Sequence, residues 1–420
     1  MTEIRGFKAV HYNSAKIKDI SRVVCPPYDV ISPAQQDAFY KASEYNFIRV
    51  LLGKEKPGDD DRDNKYTRAK QIFDQWLQEG ILVQDEKPCI YYYLQEYKVM
   101  GEKYSRSGII ALMRIPDDKG SRIFPHENTH ARAKEDRMRI LQTLHANLSP
   151  IFVCFSDREK TVEKIFQKII AQEPCSRITD EDNVRHTVWR LDDPAAIAKI
   201  AESFSQQPLF IADGHHRFEV AKEYRRMRMA RLERSTGEEP FNFVLTYFTN
   251  MDSRDLKIFP MHRIVKRFPM NLRALEEFFR IDRIKHKEDL VVLLAKAGQN
   301  EHAFGLYTRE GIYLLRLKNK LLIDKYVTEG SKDFRQLDAT ILKYFIFDRV
   351  GVASEDIIYT KDLHDTMNLV DSGEAEASFV MNAVRIQQLK SIALNGERMP
   401  PKTTYFYPKV LSGLAIYKHD

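Results

Sequence analysis

Five consecutive positions, Asp213, Gly214, His215, His216 and Arg217, place a carboxylate, a glycine, two imidazoles and a guanidinium in one turn. The apolar run Leu209 to Ala212 before them reads as a buried strand, and Phe218, Val220, Ala221 and Tyr224 after them recur at helical spacing. The turn therefore joins a strand end to a helix start. The first helical N–H groups have no intrahelical partner, Gly214 lets the backbone bend sharply, and Asp213 is expected to cap the helix. Arg217 offers a planar fork for phosphate or carboxylate, and His215 and His216 add donors whose charge changes near neutral pH. The chemistry this predicts is anion binding at a helix N-terminus. The alternative is an ordinary strand-to-helix turn with solvated charges.

Two further stretches carry candidate chemistry. HENTHARAKEDR, residues 126–137, contains the H-E-x-x-H spelling of zinc proteases in His126, Glu127 and His130. In such enzymes both histidines lie on one face of a helix, whereas here Pro125 precedes the first one, which predicts a loop with the helix starting near Thr129 or Ala131. Zinc hydrolysis is thus the minor reading. Glu127 reads either as a general base or as a carboxylate near a helix start. Near the C-terminus, Lys402, Thr403 and Thr404 set an ammonium beside two hydroxyls, a group able to hold an anion or to solvate a surface.

The elements expected to position these groups alternate between strand and helix. Ser32 and Pro33 open a helix to Ala42, Tyr66 to Gln78 forms an amphipathic helix, and residues 89–115 form a long hairpin around Gly101. Strands at Ile151 to Phe155, Val184 to Leu191 and Leu209 to Ala212 are each followed by a helix, and Phe243 to Thr249 is a strand expected near the DGHHR strand. His262 and Arg263 sit in a connector or face the same pocket. A single helix is expected over Phe334 to Phe347 and another over Ala383 to Leu394. The fold class is α+β, a mixed α/β arrangement divided into an N-terminal region 1–115, a core 116–270 and a C-terminal α/β domain 271–420 that returns the PKTT loop to the site.

Bulk composition narrows the class. A chain of 420 residues with 43% hydrophobic content exceeds the roughly 250–300 residues at which a single core stops growing. The net charge of +6, from 66 basic and 60 acidic residues, suits small phosphorylated ligands better than nucleic acid, which is not expected as a partner. Cys25, Cys89, Cys154 and Cys175 are dispersed, so free thiols in a reducing compartment are expected. No run has membrane-spanning length and MTEIRGFKAV lacks a signal-peptide pattern, which predicts a cytoplasmic protein without a membrane partner.

The segments CPPYDVI, PHENT, ANLSPIF, ADGHHRFEVA, FPMHRI and MPPKTTYFYPKVLSGLA, in this order, resemble a prokaryotic family long carried as a domain of unknown function. The His-Glu pair, the DGHHR turn and the PKTT loop are similar to the free serine kinase branch of the ParB/sulfiredoxin-like superfamily. That superfamily uses a G-x-x-R-x-x-A turn for nucleotide phosphates. Here Gly214 and Arg217 match, while Ala221 falls four residues after the arginine rather than three. Stretches 54–64 and 138–205 have no counterpart in the small kinase.

The resemblance implies a ParB/sulfiredoxin-like nucleotide-binding core with N-terminal additions. It also implies a kinase moving a phosphoryl group from ATP or ADP, with Mg²⁺, to the hydroxyl of free L-serine. By position, Glu127 would be the catalytic base and Asp213 would place Mg²⁺ or phosphates. Gly214, His215, His216 and Arg217 would hold the nucleotide, His215 and His216 also serving the reaction. His126, Lys402, Thr403 and Thr404 would bind the substrate. The other implied class is a CTP- or ATP-binding regulatory switch without turnover.

Overall fold

The computed structural model describes residues 2–117, 121–129, 131–269 and 272–419. Contacts divide the chain into a larger unit, made of residues up to Phe124, Thr129–Leu256 and the chain from Pro408 onward, and a smaller unit made of Pro125–Asn128 and Lys257–Tyr407.

A nine-stranded sheet organises the larger unit. Its order from one edge is Ile123–Phe124, Leu209–Asp213, Ile151–Phe155, Phe243–Asn250, Glu102–Arg114, Ile90–Val99, Arg185–Leu191 and Ser176–Thr179, with Ile4–Arg5 also paired to Glu102–Arg114. Leu209–Asp213 runs parallel to Ile123–Phe124, and Phe243–Asn250 runs parallel to Ile151–Phe155, whereas the other pairs are antiparallel. The fold is therefore mixed α/β, with Phe243–Asn250 one strand removed from Leu209–Asp213.

Alternation along the central strands sets two chemically different faces. Ile151, Val153 and Phe155 join Phe166, Ile200, Phe204, Phe218 and Ala221 from the covering helices in an apolar core. The opposite face buries Arg106, whose guanidinium lies 4.8 Å from the Phe152 ring centroid and 5.7 Å from that of Tyr247. A second core in this unit gathers the N-terminal segment around Phe47, Phe73 and Trp76, together with Ile140 and Leu144 of the Ala131–Leu144 helix. Ser32 forms a capping box with Gln35 ahead of the Pro33–Ala42 helix, as the sequence predicts.

The smaller unit holds a six-stranded antiparallel sheet in the order Phe279–Ile284, Gly311–Leu317, Ala303–Thr308, Ala377–Val380, His262–Val265 and Ile357–Thr360. His262 and Arg263 thus belong to a buried interior strand rather than to a solvated connector. The helix expected over 334–347 is broken into Lys332–Arg335, Asp338–Leu342 and a π-helical turn Lys343–Phe347. Consecutive Phe345, Ile346 and Phe347 are all buried, while Lys343 and Asp348, on the exposed side, pair at 3.0 Å across five positions, a spacing wider than the α-helical turn. No helix among the described residues is long and apolar enough to cross a membrane.

Candidate active site

The Leu209–Asp213 strand ends at Asp213, and the His215–Met229 helix begins two residues later. Gly214 is the N-cap residue, at φ +87° in the left-handed region, and as a glycine it brings no capping side chain. Asp213 therefore does not cap the helix as expected. Its Oδ1 accepts the Gly214 N–H at 2.8 Å, which turns the carboxylate back onto the bend. A Cβ on Gly214 would lie 3.0 Å from the Arg217 guanidinium, so glycine is required here by both backbone angle and space.

Lys409 completes this cluster, and sequence reading missed it. Its Nζ donates to Asp213 Oδ2 at 2.8 Å, with the two side chains 11% and 15% exposed. Arg217 Nη2 lies 4.0 Å from Asp213 Oδ1, while Nη1 donates to the Pro150 carbonyl. Arg217 Nε is buried without a hydrogen-bond partner among the described residues. Burial alone would push the Asp213 carboxyl up, but the charges of Lys409 and Arg217 hold it well below the ordinary carboxylate range. Asp213 is ionised at neutral pH, and its one carboxylate stands between the ammonium of Lys409 and the guanidinium of Arg217 at the start of the helix. His215 is buried in the first turn and His216 is half-buried next to it.

A buried brace fixes Lys409. Gln95 Nε2 donates to the Lys409 carbonyl at 2.9 Å, and Arg106 donates to the Pro408 carbonyl and to Gln95 Oε1. The only signal in sequence was the proline-stiffened run YFYPKVL, which marks a constrained segment without saying what its lysine meets. Nearby, burial pushes the Tyr28 phenol up to about 12 despite Arg137 and Arg217, so Tyr28 of the CPPYDVI segment is a neutral hydroxyl. The Arg137 guanidinium lies 4.1 Å from its ring centroid.

The smaller unit brings together the other predicted residues. The Lys402 backbone N–H, not its ammonium, donates to Glu127 Oε1 at 3.0 Å, with Lys402 at φ +54°. His126 is buried, with Nε2 3.3 Å from Thr404 Oγ1. The His126 carbonyl accepts the Met399 N–H at 2.7 Å, and Glu127 pairs with Met399 as an isolated β-bridge. Arg263 reaches the Lys402 carbonyl at 3.4 Å, so the His262–Val265 strand also supports this loop. Thr403 departs from expectation: it is buried and its hydroxyl donates to the Pro400 carbonyl, which makes it a turn-forming residue.

The metal expectations do not fit this geometry. His126 and Glu127 lie in extended chain before the Ala131–Leu144 helix, so the helical face required by the zinc-protease pattern is not formed there. His130 lies outside the described residues. Among the described residues no group of three or more His, Cys, Asp or Glu side chains is placed to hold a metal ion. Asp213 is already neutralised by Lys409 and Arg217, an arrangement that does the charge balancing a resident cation would do.

A family model described as a protein of unknown function (DUF1015) matches residues 4–340. No curated protein matches the sequence. Among solved structures, free serine kinase in complex with AMP aligns at 14% identity over 68% of this chain and 83% of that chain, with a TM-score of 0.35. SbnI with a C-terminal truncation, from Staphylococcus aureus, aligns at 10% identity over 72% and 85%, with a TM-score of 0.37. A conserved hypothetical protein from Pyrococcus furiosus aligns at 15% identity over 69% and 89%, with a TM-score of 0.33. Likenesses at this level transfer neither fold nor activity.

Proposed function

The chain belongs to the DUF1015 family, whose description names no activity, and from the chemistry of its side chains we propose that it is a nucleotide-dependent phosphotransferase acting on a small hydroxyl compound. The observation that carries this reading is the N-terminus of the His215–Met229 helix, which opens on a glycine and stands beside the Asp213 carboxylate with its two cations Lys409 and Arg217. Helix N–H groups and two cations are the donors that bound phosphates need.

Phosphoryl transfer asks the protein mainly for positioning and charge neutralisation. In the proposed mechanism the first-turn backbone, His215, His216 and Arg217 hold the nucleotide phosphates, and Lys409 stands where negative charge grows on the transferring group. Asp213 orients Lys409 by accepting from its ammonium. The motif resemblance assigns the base role to Glu127, whose carboxylate accepts the Lys402 N–H, and acceptor binding to His126, Thr404 and the Lys402 ammonium. The motif resemblance makes free L-serine the acceptor, ATP or ADP the donor, and a ParB/sulfiredoxin-like core the framework.

The test incubates the protein with L-serine, Mg²⁺ and either ATP or ADP, and detects O-phosphoserine by mass spectrometry. Mg²⁺ is included because it travels with nucleotide phosphates. Product that disappears in Glu127→Gln while nucleotide affinity stays within about twofold supports the assignment. A rise in melting temperature with nucleotide, but no phosphorylated acceptor, replaces it with a binding switch.

A further inference from the structure

The larger unit holds a second polar constellation that the proposed reaction does not use. Asp85 follows the Leu82–Gln84 strand and its side chain is only 2% exposed. Its Oδ1 is 3.2 Å from His11 Nε2 and accepts from Arg190 Nη1, while Oδ2 accepts the Tyr91 hydroxyl. The Asp85 N–H donates to the Ala9 carbonyl at 2.9 Å, which fixes the residue at both ends. These groups line a cavity of about 360 Å³ whose other walls include Ile20, Val188 and Leu414.

Charge is arranged in depth here. The carboxylate is sealed at the back, whereas the His11 and Arg190 side chains are 32% and 49% exposed. Burial pulls the His11 imidazole down, but its hydrogen bond and charge contact with Asp85 win and raise it above its ordinary value. Asp85 is held down in turn, burial notwithstanding, by His11 and Tyr91. The two phenols on the cavity, Tyr12 and Tyr91, are neutral, because burial raises both far above the ordinary range, and the Cys175 thiol at its rim is exposed. One buried carboxylate thus faces a guanidinium and an imidazole, and the Arg190 guanidinium lies on the cavity side.

We propose that this cavity is a binding site for a small organic acid, its carboxylate on the free N–H donors of Arg190, beside the His11 ring that Asp85 and the Tyr12 carbonyl hold in place at 3.2 and 3.0 Å, and its apolar body against Ile20, Val188 and Leu414. Arg190 gives Asp85 one of its five N–H donors, and a guanidinium fork receives a carboxylate through two. The volume falls within the roughly 300–1,000 Å³ of small-molecule pockets. The site shares no residue with the Asp213 cluster, so its success or failure is independent of the phosphotransfer reading.

Calorimetric titration of the full chain with phenylacetate, benzyl alcohol and inorganic phosphate tests this, with methyl NMR of Ile20, Val188 and Leu414 as the locating readout. Phenylacetate is expected to bind and to shift these methyl signals, with affinity lowered at least tenfold by Arg190→Gln and about threefold by His11→Gln. Benzyl alcohol and phosphate are each expected to bind at least tenfold more weakly. Should Arg190→Gln fail to fold, the His11→Gln comparison decides alone. Absence of phenylacetate binding, or equal affinity in the variants, shows the Asp85 network to be purely structural and overturns the proposal. Phosphate binding as tight as phenylacetate removes the apolar half of the site and overturns it as well.

Discussion

Replacing Lys409 by methionine removes an ammonium from Asp213 while keeping the length and apolar stem of the side chain. The pair is 2.8 Å apart and both side chains are largely buried. Breaking a buried pair by deleting one partner costs about 3–5 kcal/mol. Here Arg217, 4.0 Å from the same carboxylate, retains part of the compensation, which lowers the expected loss to about 2–3 kcal/mol. For a unit of this size that is a fall in Tm of roughly 4–12 °C.

A double-mutant cycle with Asp213→Asn isolates the pair, and a coupling of about 2 kcal/mol is expected. The sign of the pH dependence follows from the depressed Asp213 carboxyl. Its contribution is fully present above the unfolded carboxylate value of about 3.9 and is lost as pH falls through the folded value. Wild type and Lys409→Met should therefore differ by a nearly constant amount from neutrality down to about pH 4, and converge only as pH falls further toward the depressed folded value. Thermal melts from pH 7 down to about pH 2, with both single variants and the double variant, measure this. A coupling below about 0.5 kcal/mol, or a stability gap that stays constant down to about pH 2, refutes the ion-pair reasoning.

The other expectations are simpler. Gly214→Ala forces an L side chain to φ +87° and against the Arg217 guanidinium; a loss of about 1–2 kcal/mol is expected in chemical denaturation, together with weaker ADP binding. Arg217→Ala should weaken ADP binding at least tenfold by calorimetry, and unchanged affinity takes Arg217 out of the phosphate site. Glu127→Gln keeps an oxygen acceptor for the Lys402 N–H and should melt within about 1 °C of wild type, whereas Glu127→Ala should lose about 1 kcal/mol. Both variants should lack phosphotransfer, so an active Glu127→Gln enzyme removes it from the base role.

Local signals were legible where a short stretch of chain contains its own cause. Ser32 and Pro33 announce a capped helix, Gly101 sits in the turn between strands Ile90–Val99 and Glu102–Arg114, and the Asp213–Gly214 bend joins strand to helix as its pattern predicts. What the pattern could not give was the use made of each group. Asp213 has the composition of a cap, but its carboxylate is drawn to a lysine 196 positions away, a partner that only the completed fold supplies. Lys402 looked like a cation and acts on Glu127 through its backbone, because its left-handed conformation points the N–H at the carboxylate. Thr403 spends its hydroxyl on a local carbonyl, as turn-forming threonines do. Near 334–347 helical propensity was real, but tertiary burial of adjacent aromatic and aliphatic residues broke the period.

The route by which Lys409 reaches Asp213 has a consequence for biosynthesis. The chain leaves the larger unit after Leu256 and re-enters it at Pro408. During translation Asp213 emerges long before its counter-ion, and at about 5–20 residues per second the wait is roughly 10–40 s. Until then the carboxylate has no lysine to offset its desolvation, so water must stay in the turn. A ribosome that stops in the intervening 257–407 stretch releases a product with the DGHHR turn but without the cation that answers it. The anion cradle therefore matures last, and its assembly reports that the message was read through to Lys409.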